Sequence, residues 1–347
     1  MNRDLELLIS FLTPIKKLLL DDSISEIMGN PNGSWWFEKH GKLYPAESLR
    51  FDAKALRTGL EVIANKLGRK LEEAHPILNA QLPDGSRLAA VLPPVVEPFP
   101  SVTIRKFTAV RFTIADLIEA GALSTHLAEY LAEQIAGGKT LLISGGTSSG
   151  KTTFLNALTD YIPIDERIVV IEDTRELRLS RPNLLAAECQ TDAHAATVSF
   201  NDLLKSALRW RPDRIILGEV RGDEARTLLD SFNTGHGGSM ATIHASTAVR
   251  ALRKFGQLAM RAHQQANRDD IASEISESVR LVIQLQRYPD GRKVTEIIEL
   301  DGYDRDRKVF EYRTIFDRGQ GTTVGDDSST VPVRIFPITG DQNDAIA

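Results

Sequence analysis

In 347 residues the chain has a single cysteine, Cys189. This rules out a disulfide framework within one chain and any four-cysteine zinc site, so zinc is not expected. It also fits a reducing compartment, with Cys189 read as a small, partly buried side chain. No apolar run approaches the roughly 20 residues needed to cross a bilayer. Basic excess is missing as well. Lys and Arg number 42 against 47 Asp and Glu, a net charge of −5, and direct nucleic-acid binding over a basic surface is not expected. No internal repeat is evident, and the N-terminus lacks the basic start and small-residue cleavage site of a signal peptide. A cytoplasmic location follows as the expectation. What remains, 42% hydrophobic and 26% charged residues, is an ordinary globular composition, long enough for about two domains.

The opening segment places Leu5, Leu7, Leu8, Phe11, Leu12, Ile15, Leu18 and Leu19 at helical spacing, interrupted by Pro14, Lys16 and Lys17. Such a helix either packs on its own domain or lies on a membrane surface. Strands are predicted at 34–39 and 42–44, and Asp52 caps a helix reaching about Leu67. A hairpin at 77–82 and 87–92 turns through Pro83-Asp-Gly-Ser, and 101–105 is a third strand candidate. Downstream, the short apolar runs 140–144, 168–172 and 215–218 read as strands buried on both faces of a mostly parallel sheet, joined by 239–244. A helix at 268–278 and a hairpin at 279–286 and 294–300 follow. The division is an N-terminal α+β domain over 1–106, a linker over 107–113 and a larger α/β domain over 114–317. A Gly-, Asp-, Ser- and Thr-rich mobile tail is expected over 318–347, with 331–336 able to dock on a neighbour.

Residues 145–152 read Gly-Gly-Thr-Ser-Ser-Gly-Lys-Thr, a full G-x-x-x-x-G-K-[ST] phosphate loop. An apolar run precedes it and a helix-like stretch follows, the setting that separates such a loop from a chance Gly/Ser-rich turn. The binding set is Gly145, Gly146, Thr147, Ser148, Ser149, Gly150, Lys151, Thr152 and Thr153, and the ligands are ATP and Mg²⁺. Glycines let backbone N–H groups face the β-phosphate at a helix N-terminus. Lys151 would bridge the β- and γ-phosphates, and Thr152 would place its hydroxyl on Mg²⁺.

Strand 168–172 delivers Glu172 and Asp173 at its carboxyl end, the edge where open α/β sheets hold ligands. The two acids hold Mg²⁺-bound water, or orient the attacking water, or cap the next turn. The run 213–219 ends in Glu219, with Gly218 where a Walker B aspartate usually stands; Glu219 would polarise the nucleophilic water. His244, at the end of 239–244, can donate to a γ-phosphate, the other option being a satisfied core histidine. His236 lies in a glycine-rich turn, where a contact with backbone is its plain alternative.

Together these residues resemble the secretion "traffic" ATPases, which power type IV secretion, type II secretion and type IV pilus motors. All four boxes of that family occur in its order: the phosphate loop 145–152, an aspartate box 171–177, a Walker B element 215–222 and a histidine box 235–244. The resemblance implies a RecA-like P-loop C-terminal domain with a mostly parallel sheet, preceded by a smaller α+β domain. It also implies a six-subunit ring with nucleotide bound between the two domains, whose hydrolysis rocks one against the other. Partners would be further copies of the chain and secretion or conjugation components at the cytoplasmic face of a bacterial inner membrane. Arg87 and Arg105 sit like the family's arginines that reach the γ-phosphate from the N-terminal domain; on residues alone, either can be an exposed strand residue. Arg221 and Arg226 are candidates to complete a site across subunits.

The branch follows from what is missing. Type II secretion members commonly carry a tetracysteine zinc element, and the pilus retraction branch carries an Ala-Ile-Arg-Asn-Leu-Ile-Arg-Glu helix; this chain has neither. The Gly-Glu-Val-Arg-Gly and Gly-His-Gly-Gly-Ser runs resemble the conjugative-transfer, type IV secretion branch. A type IV pilus or other secretion motor is the alternative, then a RecA-type nucleic-acid motor, whose ATPase nucleic acid should stimulate. A scaffold that binds nucleotide without turnover is disfavoured by intact Lys151, Thr152, Glu172 and Glu219.

Overall fold

Alternating apolar and polar residues build the first sheet of the structure, a computed structural model that describes residues 11–39, 41–107, 111–189, 197–261, 267–319, 321–322 and 336–337. The chain divides into two compact units, Met1–Val110 and Arg111–Ala347. In the first unit the strands are β1 (Ile24–Gly29), β2 (Trp35–Lys39), β3 (Lys42–Pro45), β4 (Ile77–Gln81), β5 (Arg87–Val91) and β6 (Ser101–Arg105). They form an antiparallel sheet in the order β3-β2-β1-β6-β5-β4. Leu78, Leu88, Ala90, Val102 and Ile104 point to one face, and a helix covers them. Before the sheet, a 3₁₀ turn (Thr13–Ile15) leads into the short helix α1 (Lys16–Leu20).

One continuous opening helix is therefore not what forms over 11–20. Proline has no N–H to donate and is tolerated only in a first turn, and Pro14 sits there. Leu12 and Ile15 are buried in the core of their own unit, and residues 1–10 lie outside the described part. The covering helix is α2 (Ala53–Lys66). The Asp52 side chain accepts from the Ala55 amide at 2.8 Å, and Leu56, Leu60, Ile63 and Ala64 face the sheet.

The second unit is doubly wound. Its helices are α3 (Ile114–Glu119), α4 (Thr125–Ala136), α5 (Lys151–Leu158), α6 (Phe200–Ala207), α7 (Glu224–Asn233), α8 (Ala248–Arg261) and α9 (Arg268–Ser278). Its main strands are β7 (Leu141–Gly145), β8 (Ile168–Glu172), β9 (Leu184–Glu188), β10 (Arg214–Val220), β11 (Met240–Ile243), β12 (Leu281–Tyr288), β13 (Gly291–Asp304) and β14 (Val309–Asp317). They lie in the order β14-β13-β12-β7-β11-β10-β8-β9, parallel from β12 to β9 and antiparallel across β12-β13-β14.

Strand residues alternate between two cores, one on each face. Leu142, Val169, Ile171, Ile215 and Leu217 pack with α6 to α9, while Leu141, Ile143, Ile168, Val170 and Ile216 pack with α4 and α5. The continuous apolar runs in the sequence are the consequence of burial on both faces. Of these main strands, β9 and β14 fall outside the sequence expectation. The tail expected from 318 lies mostly outside the described residues; within it, Gly321–Thr322 and Phe336–Pro337 each pair with β14. No helix among the described residues is long and apolar enough to cross a membrane.

Candidate nucleotide-binding site

The buried strand β7 ends at Gly145, and the chain passes through two left-handed residues, Ser148 (φ 57°) and Gly150 (φ 88°), before α5 begins at Lys151. Left-handed residues interleaved with ordinary ones turn successive amides toward a common point, an anion-binding geometry. Thr147, Ser148 and Thr153 are exposed, and Lys151 and Thr152 are half-buried. Ser149 is buried, and its hydroxyl donates to the Gly146 carbonyl at 2.9 Å, closing the loop. The Lys151 ammonium donates to the carbonyls of Gly145 (3.1 Å) and Gly146 (3.0 Å), which holds its charge over the loop. Phe154, Leu155, Ala157 and Leu158 bury the far side of α5 and fix its N-terminus under the loop.

Two strand ends bring acids to the same sheet edge. Glu172 closes β8 and is only 3% exposed; one oxygen accepts from the amides of Glu176 and Leu177, each at 3.0 Å. Burial pushes its carboxyl up to about 7, against the pull of the two amides. Gly218 on the adjacent β10 makes room for it, because a Cβ there would stand 3.1 Å from Glu172 Cγ. The folded-state pKa lies above the unfolded one, so Glu172 favours folding most at low pH and progressively less as pH rises through about 7. The melting temperature of the wild-type chain should therefore fall between about pH 5 and about pH 8 by a component that Glu172→Gln lacks. Thermal scans of both proteins at the two pH values check this, and parallel pH profiles would refute it.

Asp173 and Glu219 share one cation. Arg221 donates to Glu219 through Nε (3.0 Å) and Nη2 (2.8 Å), and to Asp173 through Nη1 (3.0 Å). His244 follows directly on β11. Burial and then the positive charge of Lys151 hold its imidazole below its usual pKa, with Glu219 acting the other way. The histidine is thus neutral near pH 7, and it stands within electrostatic reach of both Lys151 and Glu219. Its carbonyl accepts from Lys254 of α8 at 2.7 Å.

Other candidates lie elsewhere. His236 contacts the Ser231 carbonyl through Nδ1 at 3.2 Å, ahead of the amino end of β11 and so at the opposite sheet edge from His244. Arg226 bonds to Asp230 (2.6 Å) and Glu274 (2.8 Å), tying α7 to α9. Arg87 and Arg105 belong to the first unit, where they are direct cross-strand partners on β5 and β6. Arg292, in the β12–β13 hairpin, touches the phosphate loop with no sequence motif to announce it.

Among the described residues no group of three or more His, Cys, Asp and Glu side chains is arranged to hold a metal. Mg²⁺ characteristically takes one or two protein oxygens plus phosphate and water oxygens, so Thr152 at the start of α5 fits that ion.

Comparison with known proteins agrees with this architecture. The X-ray structure of the Legionella pneumophila ATPase DotB superposes with a TM-score of 0.59 at 20% identity, covering 86% of this chain and 82% of that one. The probable conjugal transfer protein TrbB of Sinorhizobium fredii (strain NBRC 101917 / NGR234) is 37% identical across 84% of this chain and 88% of its own length. The type IV secretion system protein VirB11 of Bartonella henselae is 34% identical across 88% of this chain and 94% of its own. The family model described as "Type II/IV secretion system protein" matches residues 11–314, and the chain belongs to that family.

Proposed function

We propose that the chain is a Mg²⁺-dependent ATPase that works as a homohexameric ring and powers conjugative DNA transfer or type IV secretion, with the associated pilus assembly. One observation carries the reading. The phosphate loop, Glu172, the Arg221-linked pair Asp173 and Glu219, and His244 converge on one edge of a parallel sheet. The relatives named for conjugal transfer and type IV secretion supply the context.

In this reading the loop amides and Lys151 bind the β- and γ-phosphates of ATP, and Thr152 holds Mg²⁺, with Asp173 reaching its water shell. The bound ion neutralises phosphate charge and orients the γ-phosphoryl group. Glu219 takes the proton from the attacking water, Glu172 orients that water, and His244 donates to the γ-phosphate and reports its loss. Arg87 and Arg105 stabilise charge on the transferred group, from the same subunit or a neighbour. Residues 107–113 link the two domains, and the ring works at the cytoplasmic face of the inner membrane.

Lys151→Ala is expected to lower phosphate release by about a hundredfold or more, the scale for losing one charge-stabilising donor. A donor strain carrying Lys151→Ala should also lose plasmid transfer while expressing normal amounts of folded protein. Undiminished transfer would reject the conjugative role and leave a pilus or effector-export motor in its place.

A further inference from the structure

The geometry points to Arg292 as a positioning residue for the phosphate loop: from the β12–β13 hairpin it holds the Ser148–Ser149 peptide in the orientation that binds phosphate. The inference rests on the ATPase reading above. Parallel pairing of β12 with β7 runs as far as Leu285 opposite Gly145. There β7 gives way to the loop, while β12 continues through Gln286, Arg287 and Tyr288 and turns back as β13. Arg292 pairs with Arg287 on the returning strand, and the hairpin therefore overhangs the loop.

Two contacts join them. The Arg292 Nε donates to the Ser148 carbonyl at 3.3 Å. Its alkyl stem covers Gly150, where an added Cβ would stand 3.4 Å from Cγ and 3.5 Å from Cβ of Arg292. Ser148 needs such support, because φ 57° is a conformation that a residue with a Cβ rarely adopts. In a trans peptide the carbonyl and the following N–H point in opposite directions. A donor that fixes the Ser148 carbonyl from outside therefore aims the Ser149 N–H to the other side, where such loops take their phosphate.

The hairpin is itself held. Lys293 pairs with Asp290 and lies 5.7 Å from the Tyr288 ring centroid, and Arg318 donates to the Val294 carbonyl at 2.9 Å. Arg292 thus reaches the loop from a braced element. Preorganising a loop amide strengthens binding of any ligand with a β-phosphate, ATP and ADP alike, and changes the chemical step little.

The test compares wild type, Arg292→Ala and Arg292→Lys as full-length proteins. Three quantities are read for each: KM and kcat for Mg·ATP, Kd for Mg·ADP, and the melting temperature without nucleotide. Arg292→Ala should weaken both nucleotides by roughly three- to tenfold, the scale of one hydrogen bond, with kcat changed less than KM. Its nucleotide-free melting temperature should match wild type. Arg292→Lys retains the stem but moves the donor to a flexible end, and should fall between the two. Wild-type affinities in Arg292→Ala would overturn the inference, as would a lowered nucleotide-free melting temperature accompanying the loss. Failure of the wild-type chain itself to bind Mg·ATP would overturn the ATPase reading and this inference with it.

Discussion

Glu219→Gln should leave ATP bound near the wild-type affinity while hydrolysis slows by about a hundredfold to ten-thousandfold, the contribution of a positioned general base. The substitution preserves shape and can still accept from Arg221, so the sheet edge keeps its geometry. What it removes is the negative charge that would take a proton from water. Glu219 is half-buried, and the buried acid of the site supplies the contrast. Glu172 is almost sealed from solvent, spends one oxygen on two backbone amides and titrates near neutrality. Two carboxyl groups held in such different surroundings are suited to different tasks. Single-turnover phosphate release, measured beside equilibrium ATP binding, separates them. A Glu219→Gln protein that hydrolyses at the wild-type rate would remove Glu219 from the mechanism and make Glu172 the candidate base.

The phosphate loop was legible because its motif, its preceding strand and its following helix all coincide with β7 and α5. The hairpin β4–β5 and the Asp52 cap were legible for similar local reasons. Strand β1 was not. Ile24 and Ile27 are three apart, a helical interval, yet both are buried; an irregularity between Ile24 and Glu26 lets both sides of the count face inward. Strand β14 hides in the same way, its alternation broken where its register with β13 shifts. The histidine box shows a different limit. Its glycine run and His244 are contiguous in sequence, but β11 carries the chain across the sheet between them, about 13 Å over its four residues. A motif that spans a strand has one end at the site and the other at the opposite edge. Arg221 could be noticed but not placed, since its two partners come from different strands. Arg292 had no signal at all, being brought to the loop by a pairing between β7 and β12.

The opposite edge carries the largest expected stability effect. Arg214, at the start of β10, is 1% exposed. Its guanidinium pairs with Glu166 through Nε and, at 2.9 Å, through Nη2, while Nη1 donates to the Ile135 carbonyl at 2.6 Å. It thereby fastens the amino end of β10 to the end of α4 and to the loop before β8. Arg214→Met removes every one of these donors while filling much of the volume. Taking one partner from a buried ion pair costs about 3–5 kcal/mol, and the low end applies because Glu166, 26% exposed, can regain water. A loss of about 3 kcal/mol should appear as a shifted midpoint in urea unfolding. Adding Glu166→Gln should restore part of it, because the stranded charge is then gone. A shift below about 1 kcal/mol would mean that solvent already relieves the pair. Turnover by folded Arg214→Met should remain near wild type, since the strand that joins the two edges is held by its own apolar residues, Ile215, Ile216 and Leu217, in the two cores.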